Sequence, residues 1–103
     1  MSEDDEIFEV FLTEFDDFVT NLESEHDNAK NGNETNVYEI FRAFHTFKGN
    51  GALFELNEFV DFSDKYTEHF RSIKEEKSLS PDNVQLLEKL IGELKVYRAG
   101  FKK

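Results

Sequence analysis

Cysteine is absent from this 103-residue chain, which excludes a disulfide framework, thiolate metal sites and thiol nucleophiles, and fits a reducing, cytoplasmic setting. No apolar run approaches the roughly 20 residues that cross a bilayer. The acidic start Ser2-Glu3-Asp4-Asp5-Glu6 carries no signal-peptide core either, so no membrane association is expected. Positive charge is also scarce. A formal net charge of −11 argues against general nucleic-acid binding, because phosphate backbones demand a basic surface. With tryptophan missing and a single methionine, 12 phenylalanines must supply most of the bulky apolar surface. A core of one domain, residues 1–103, is expected to be aromatic.

The charge is unevenly spread. Residues 1–40 hold 13 acidic residues against Lys30 alone, whereas residues 41–103 hold 10 acidic against 11 basic. No acidic residue lies between Glu39 and Glu55, and Arg42, His45 and Lys48 fall inside that window. In an otherwise acidic chain this is a place where an anion is tolerated.

Apolar spacing is helical throughout. Phe8, Phe11, Leu12, Phe15, Phe18, Val19 and Leu22 mark a first helix over about 4–25, followed by a loop by composition, His26 to Asn33. Val37, Ile40, Phe41, Phe44 and Phe47 mark a second over 35–54, in which Gly49 and Gly51 each cost roughly 1 kcal/mol relative to alanine. Access or close packing would justify that cost. A third helix over 57–77, with Asn57 as its cap, carries Phe59, Phe62, Tyr66, Phe70 and Ile73. The only proline, Pro81, opens a fourth over 81–100, with Ser80 as cap and Asp82 in the first turn. Val84, Leu87, Leu90, Ile91, Leu94, Tyr97 and Phe101 line its inner side. Four amphipathic helices with short polar connections predict an all-α, antiparallel four-helix bundle.

Candidate chemistry concentrates in Phe41-Arg42-Ala43-Phe44-His45-Thr46-Phe47-Lys48-Gly49-Asn50-Gly51. At ~100° per residue, His45 falls on a flank of the core-facing sector, able to rest its ring on the bundle and show an edge to solvent. Gly49, four residues on, leaves space beside the ring, and Lys48, three residues on, can swing an ammonium towards anything attached to it. An ordinary imidazole titrates near about 6.5 and is therefore largely neutral and nucleophilic near pH 7. These are the requirements of a histidine that accepts and returns a phosphoryl group. Elsewhere, His26 reads as solvated and His69 as a bundle-edge residue. His69 with Asp64 or Glu68 lacks a second histidine at ligand spacing, so no metal is expected. Asp61, Asp64 and Glu68 read as a solvated helix face rather than a hydrolytic carboxylate pair. No phosphate-binding loop, nucleophile elbow or dinucleotide fingerprint is present, so no ATP site is expected in the chain.

Residues 40–51, Ile-Phe-Arg-Ala-Phe-His-Thr-Phe-Lys-Gly-Asn-Gly, closely resemble the motif of histidine phosphotransfer domains. The Phe-Arg-Ala-x-His-Thr-x-Lys-Gly form is most similar to the N-terminal phosphotransfer domain of chemotaxis-type histidine kinases. The first helix, through Phe11-Leu12-Thr13-Glu14-Phe15 and Asn21-Leu22-Glu23, resembles them more weakly. Over residues 57–103 the likeness rests on helix count and apolar spacing.

The resemblance implies that a separate histidine kinase catalytic domain phosphorylates His45 from ATP. An aspartate on a response-regulator receiver then takes the phosphoryl group. By the same match Lys48 assists electrostatically and Gly49 makes room for the incoming domain. ATP and Mg²⁺ belong to the partner domains, and the isolated domain is expected to be a monomer. Two alternatives accompany this reading: a stand-alone phosphorelay shuttle between receivers, and a helical adaptor that keeps the fold without the chemistry. The chain departs from the family pattern twice. Glu55 stands where a glycine is usual, and Thr67, with Glu68 beside it, stands where chemotaxis-type domains place a glutamate that holds the histidine ring. Whether Thr67, Glu68 or neither orients His45 is open at this level.

Overall fold

The computed structural model describes residues 3–101, with side-chain surroundings from Asp5 to Phe101. Met1 and Ser2 at the acidic start, and Lys102 and Lys103 at the end, lie outside the described residues. Four helices follow in order: α1 (Glu3–Lys30), α2 (Val37–Leu53), α3 (Asn57–Arg71) and α4 (Pro81–Gly100). Pairings across the bundle fix their directions. Phe8 and Phe11 pack on Phe54 and Glu25 accepts from the Asn36 amide; Phe59 meets Phe101 and His69 meets Asn83; Asp16 holds Arg98 and Glu23 holds Lys95. Successive helices are thus antiparallel, and α4 closes the bundle against α1.

The phenylalanine spacing works because each apolar stripe is buried. Phe8, Phe11, Phe15, Val19 and Leu22 of α1 meet Val37, Ile40, Phe41, Phe44 and Phe47 of α2 in one core, joined by Phe59, Phe70, Leu87, Leu90, Ile91 and Leu94. Phe44 is fully buried and its ring lies 5.7 Å from those of both Phe47 and Phe70. Burying one such side chain contributes about 1.5–3 kcal/mol relative to leaving it in water. Between α3 and α4 the filling is aromatic as well, with Tyr97 5.2 Å from Phe59 and 5.0 Å from Phe62.

Helix ends differ from the expectation in instructive ways. The polar stretch expected as a loop is largely helix: α1 runs on to Lys30 and carries His26 with it. The stop is Gly32, at φ 76°. The amide of Asn33 donates to the Asn28 carbonyl and that of Gly32 to Ala29, the paired bonds of a left-handed helix cap. Composition missed this because Glu25 fastens the segment, accepting from the Asn28 side chain and the Asn36 amide. At the start of α2, Thr35 is buried before the helix and Asn36 is the cap, its side chain accepting from the Glu39 amide. Leu56, not Asn57, occupies the cap position of α3, without a side-chain bond. That helix stops at Arg71 rather than near 77, where the Ser72 hydroxyl donates to the His69 carbonyl and competes with the helical ladder. Ser80 caps α4 as expected, accepting from the Asn83 amide.

The end of α2 repeats the cap of α1 with a different residue. Leu56 donates to the Gly51 carbonyl and Glu55 to Ala52, while Glu55 takes φ 57°. A side chain in this left-handed region costs about 1–2 kcal/mol that glycine avoids. Glu55→Gly is therefore expected to raise unfolding stability by about 1 kcal/mol. Urea denaturation of the two proteins checks this, and an unchanged or lowered midpoint would count against the strain.

Candidate functional site

α2 positions the site by burying one side and exposing the other. Phe41, Phe44 and Phe47 are held in the core, which turns Arg42, His45, Gly49 and Ala52 outward, all exposed. The His45 ring stacks on Phe41, with centroids 5.9 Å apart and planes 27° from parallel. Phe41 is itself covered from the α3 side by the Arg71 guanidinium at 5.0 Å and the Lys74 ammonium at 5.3 Å. The ring body thus rests on a buried support while the imidazole remains open to solvent. Among the described residues neither of its nitrogens has a hydrogen-bond partner.

The two glycines of α2 serve different ends. A Cβ built on Gly49 would meet nothing within 4 Å, whereas one on Gly51 would lie 2.9 Å from Phe59 Cδ2 and 3.2 Å from Val60 Cγ2. Gly51 lets α3 approach closely; Gly49 keeps the surface bare one turn beyond His45.

Arg42 and Lys48, the cations that flank His45 along α2, are both engaged. Lys48 Nζ lies 2.7 Å from Asp64 Oδ1 on α3. Arg42 pairs with Glu39 at 2.7 Å and lies over the Phe18 ring at 6.0 Å. The sequence window without acidic residues is consequently not free of them in space, because the fold brings Asp64 in from another helix. Asp64 is the site residue that sequence reasoning missed, having been read as part of a solvated face. A usable signal existed: in an antiparallel pair, Lys48 and Asp64 lie at similar distances on either side of the turn at Phe54 to Leu56.

Neither candidate for orienting His45 does so here. Thr67 is fully buried and its hydroxyl donates to the Ser63 carbonyl at 2.7 Å, while Glu68 accepts from Arg71 Nε at 2.8 Å. The other histidines are placed differently. His26 is half-buried on α1, and His69 Nε2 is 2.8 Å from Asn83 Oδ1, tying α3 to the start of α4. Among the described residues no three histidine, cysteine or carboxylate side chains are grouped to hold a metal, and no helix is long and apolar enough to cross a membrane.

An exposed imidazole on a buried aromatic support, with a bare glycine turn beyond it, leaves this part of α2 open to approach by something large. In comparison with protein families, the family model described as the Hpt domain matches residues 6–97. Searches of curated proteins and of solved structures found no match. A match over nearly the whole chain, on an antiparallel bundle of four helices, places this chain in the Hpt-domain family, whose role is histidine phosphotransfer in two-component signalling.

Proposed function

We propose that His45 is the phosphoacceptor, that a histidine kinase catalytic domain charges it from ATP, and that a receiver aspartate discharges it. The observation that carries this reading is the exposed His45 ring on Phe41 beside the open Gly49 turn. In the first step the lone pair of an unprotonated ring nitrogen attacks the γ-phosphorus. The bond to the bridging oxygen breaks and its electron pair leaves with ADP. In the second step a receiver carboxylate oxygen attacks the same phosphorus, and the ring nitrogen keeps the electron pair of the broken N–P bond. Lys48, three residues along the helix, offsets charge on the phosphoryl group. The likeness of residues 40–51 to chemotaxis-type kinases supports placing this domain in such a kinase. Incubation with a kinase core and ATP should give phosphate that is labile in acid and stable in base; label confined to serine, threonine or tyrosine would exclude the reading.

A second reading, a shuttle that receives phosphate from a receiver aspartate, is favoured by one observation. Among the described residues no carboxylate holds the His45 ring: Thr67 gives its hydroxyl to Ser63, and the Glu68 carboxylate accepts from Arg71. Transfer from a phosphorylated receiver, with none from a kinase core and ATP, would select it.

Gly49 separates docking from folding. Gly49→Leu adds a side chain where nothing stands within 4 Å and removes a helix-weakening glycine, so the fold is expected to gain about 0.5–1 kcal/mol. Exchange of phosphate with a partner domain is expected to slow by about tenfold or more, the effect of ~1.4 kcal/mol lost from the docked state. Thermal melts and transfer time courses on the same variant check both halves, and unchanged transfer would remove Gly49 from the interface.

A further inference from the structure

The Lys48–Asp64 pair has no part in phosphoryl chemistry as such, yet it occupies the group that the chemistry needs. Lys48 Nζ and Asp64 Oδ1 are 2.7 Å apart, and the two side chains are 44% and 49% exposed. Lys48 rises from the turn of α2 next to His45, but its ammonium is held over α3. While the imidazole is unmodified, this cation has a carboxylate as its partner. Once the imidazole carries a phosphoryl group, the same ammonium has a stronger anion within reach of its flexible stem.

Resting on the reading of His45 as phosphoacceptor, we propose that Asp64 is a positioning residue for Lys48: it parks the ammonium on α3 in the unmodified domain and competes with the phosphoryl group for it afterwards. The carboxylate thereby lowers both the ease of charging and the lifetime of the charged state, which keeps the phosphoryl group ready to leave. A half-exposed ion pair is a weak brake rather than a lock. It can be overcome by the group it opposes, as a transfer module requires.

Phosphoramidate, a small donor that needs no kinase, isolates this effect from docking. An unprotonated nitrogen of His45 attacks phosphorus and a new N–P bond forms. The donor's P–N bond breaks and its electron pair leaves with ammonia, which is then protonated by solvent. Phosphorus NMR on the chain follows formation of phosphohistidine, and its loss after the donor is removed. Asp64→Asn is expected to charge about two- to fivefold faster and to discharge more slowly by a similar factor, the scale of a half-exposed pair. Asp64→Glu should stay near the unsubstituted chain. In a Lys48→Gln background Asp64→Asn should change nothing, because the cation it would release is gone. The advantage of Asp64→Asn should also shrink as ionic strength rises and the pair is screened.

A purely structural role for Asp64 would not reproduce that dependence on Lys48 and on salt. A charging rate for Asp64→Asn equal to or below that of the unsubstituted chain, a discharge rate equal to or above it, or a gain that survives Lys48→Gln, would overturn the assignment while leaving His45 as acceptor. An unsubstituted chain that takes no phosphate from phosphoramidate would overturn both.

Discussion

His45→Gln is expected to leave the bundle intact and to reduce labelling, from a kinase core with ATP or from phosphoramidate, to background. The fold should not notice the change, because His45 is exposed and, among the described residues, its one ring contact is with Phe41. Surface substitutions of this kind stay within about 0.5 kcal/mol. The chemistry should be lost altogether, because glutamine keeps the size and polarity but its amide nitrogen has no lone pair free for attack on phosphorus. Neither remaining histidine is placed to substitute. His69 has its Nε2 against Asn83 at 2.8 Å, and His26 lines a cleft with Glu23, Asp27 and Glu88, whose carboxylates repel an anionic donor. Circular dichroism alongside the labelling separates loss of the nucleophile from loss of the fold. Appreciable label in a folded His45→Gln protein would show that the acceptor lies elsewhere.

Phe44→Ala, one residue away, is expected to do the reverse, damaging the fold rather than the nucleophile. Phe44 is fully buried, stacked on Phe70 at 14° and edge-on to Phe47, with Phe62 and Tyr66 at 6.2 and 6.1 Å. Removing a ring from such a setting costs about 3–5 kcal/mol, the lost transfer energy plus the cavity left behind. A domain of this size has on the order of 5–15 kcal/mol in all, so the loss takes a large share of the total. Urea unfolding should show a much lower midpoint with a similar slope. A cost below about 1 kcal/mol would mean that α2 and α3 collapse onto the gap, contrary to a core in which Gly51 already lets α3 come closer than a Cβ would allow.

The architecture was legible because phenylalanine spacing is both a periodic and an energetic signal. The residues that recur every three or four positions in α1 and α2 are the ones the fold buries, Leu12 and Phe18 only partly, and Ser80 with Pro81 announced α4 through local chemistry that needs no tertiary context. What the sequence concealed depends on contacts between distant segments. α1 continues through a polar stretch because Glu25 reaches across to Asn36, and α3 ends early at a serine whose hydroxyl turns back on its own helix. At the site, the flank position of His45 and the openness of Gly49 followed from helical stepping alone. The Lys48–Asp64 pair did not, since it joins two helices whose register a pattern along one chain does not display. Thr67 was ambiguous for the same reason: only the packed structure shows its hydroxyl committed to Ser63.

The phosphoacceptor reading is tested most directly by mapping the modified residue on the unsubstituted chain after incubation with a kinase core and ATP, using fragmentation that preserves the phosphorus–nitrogen bond. Phosphate on His45, discharged when a receiver domain is added, is the predicted result. Phosphate on His26, His69 or a hydroxyl, with His45 unmodified, would contradict it.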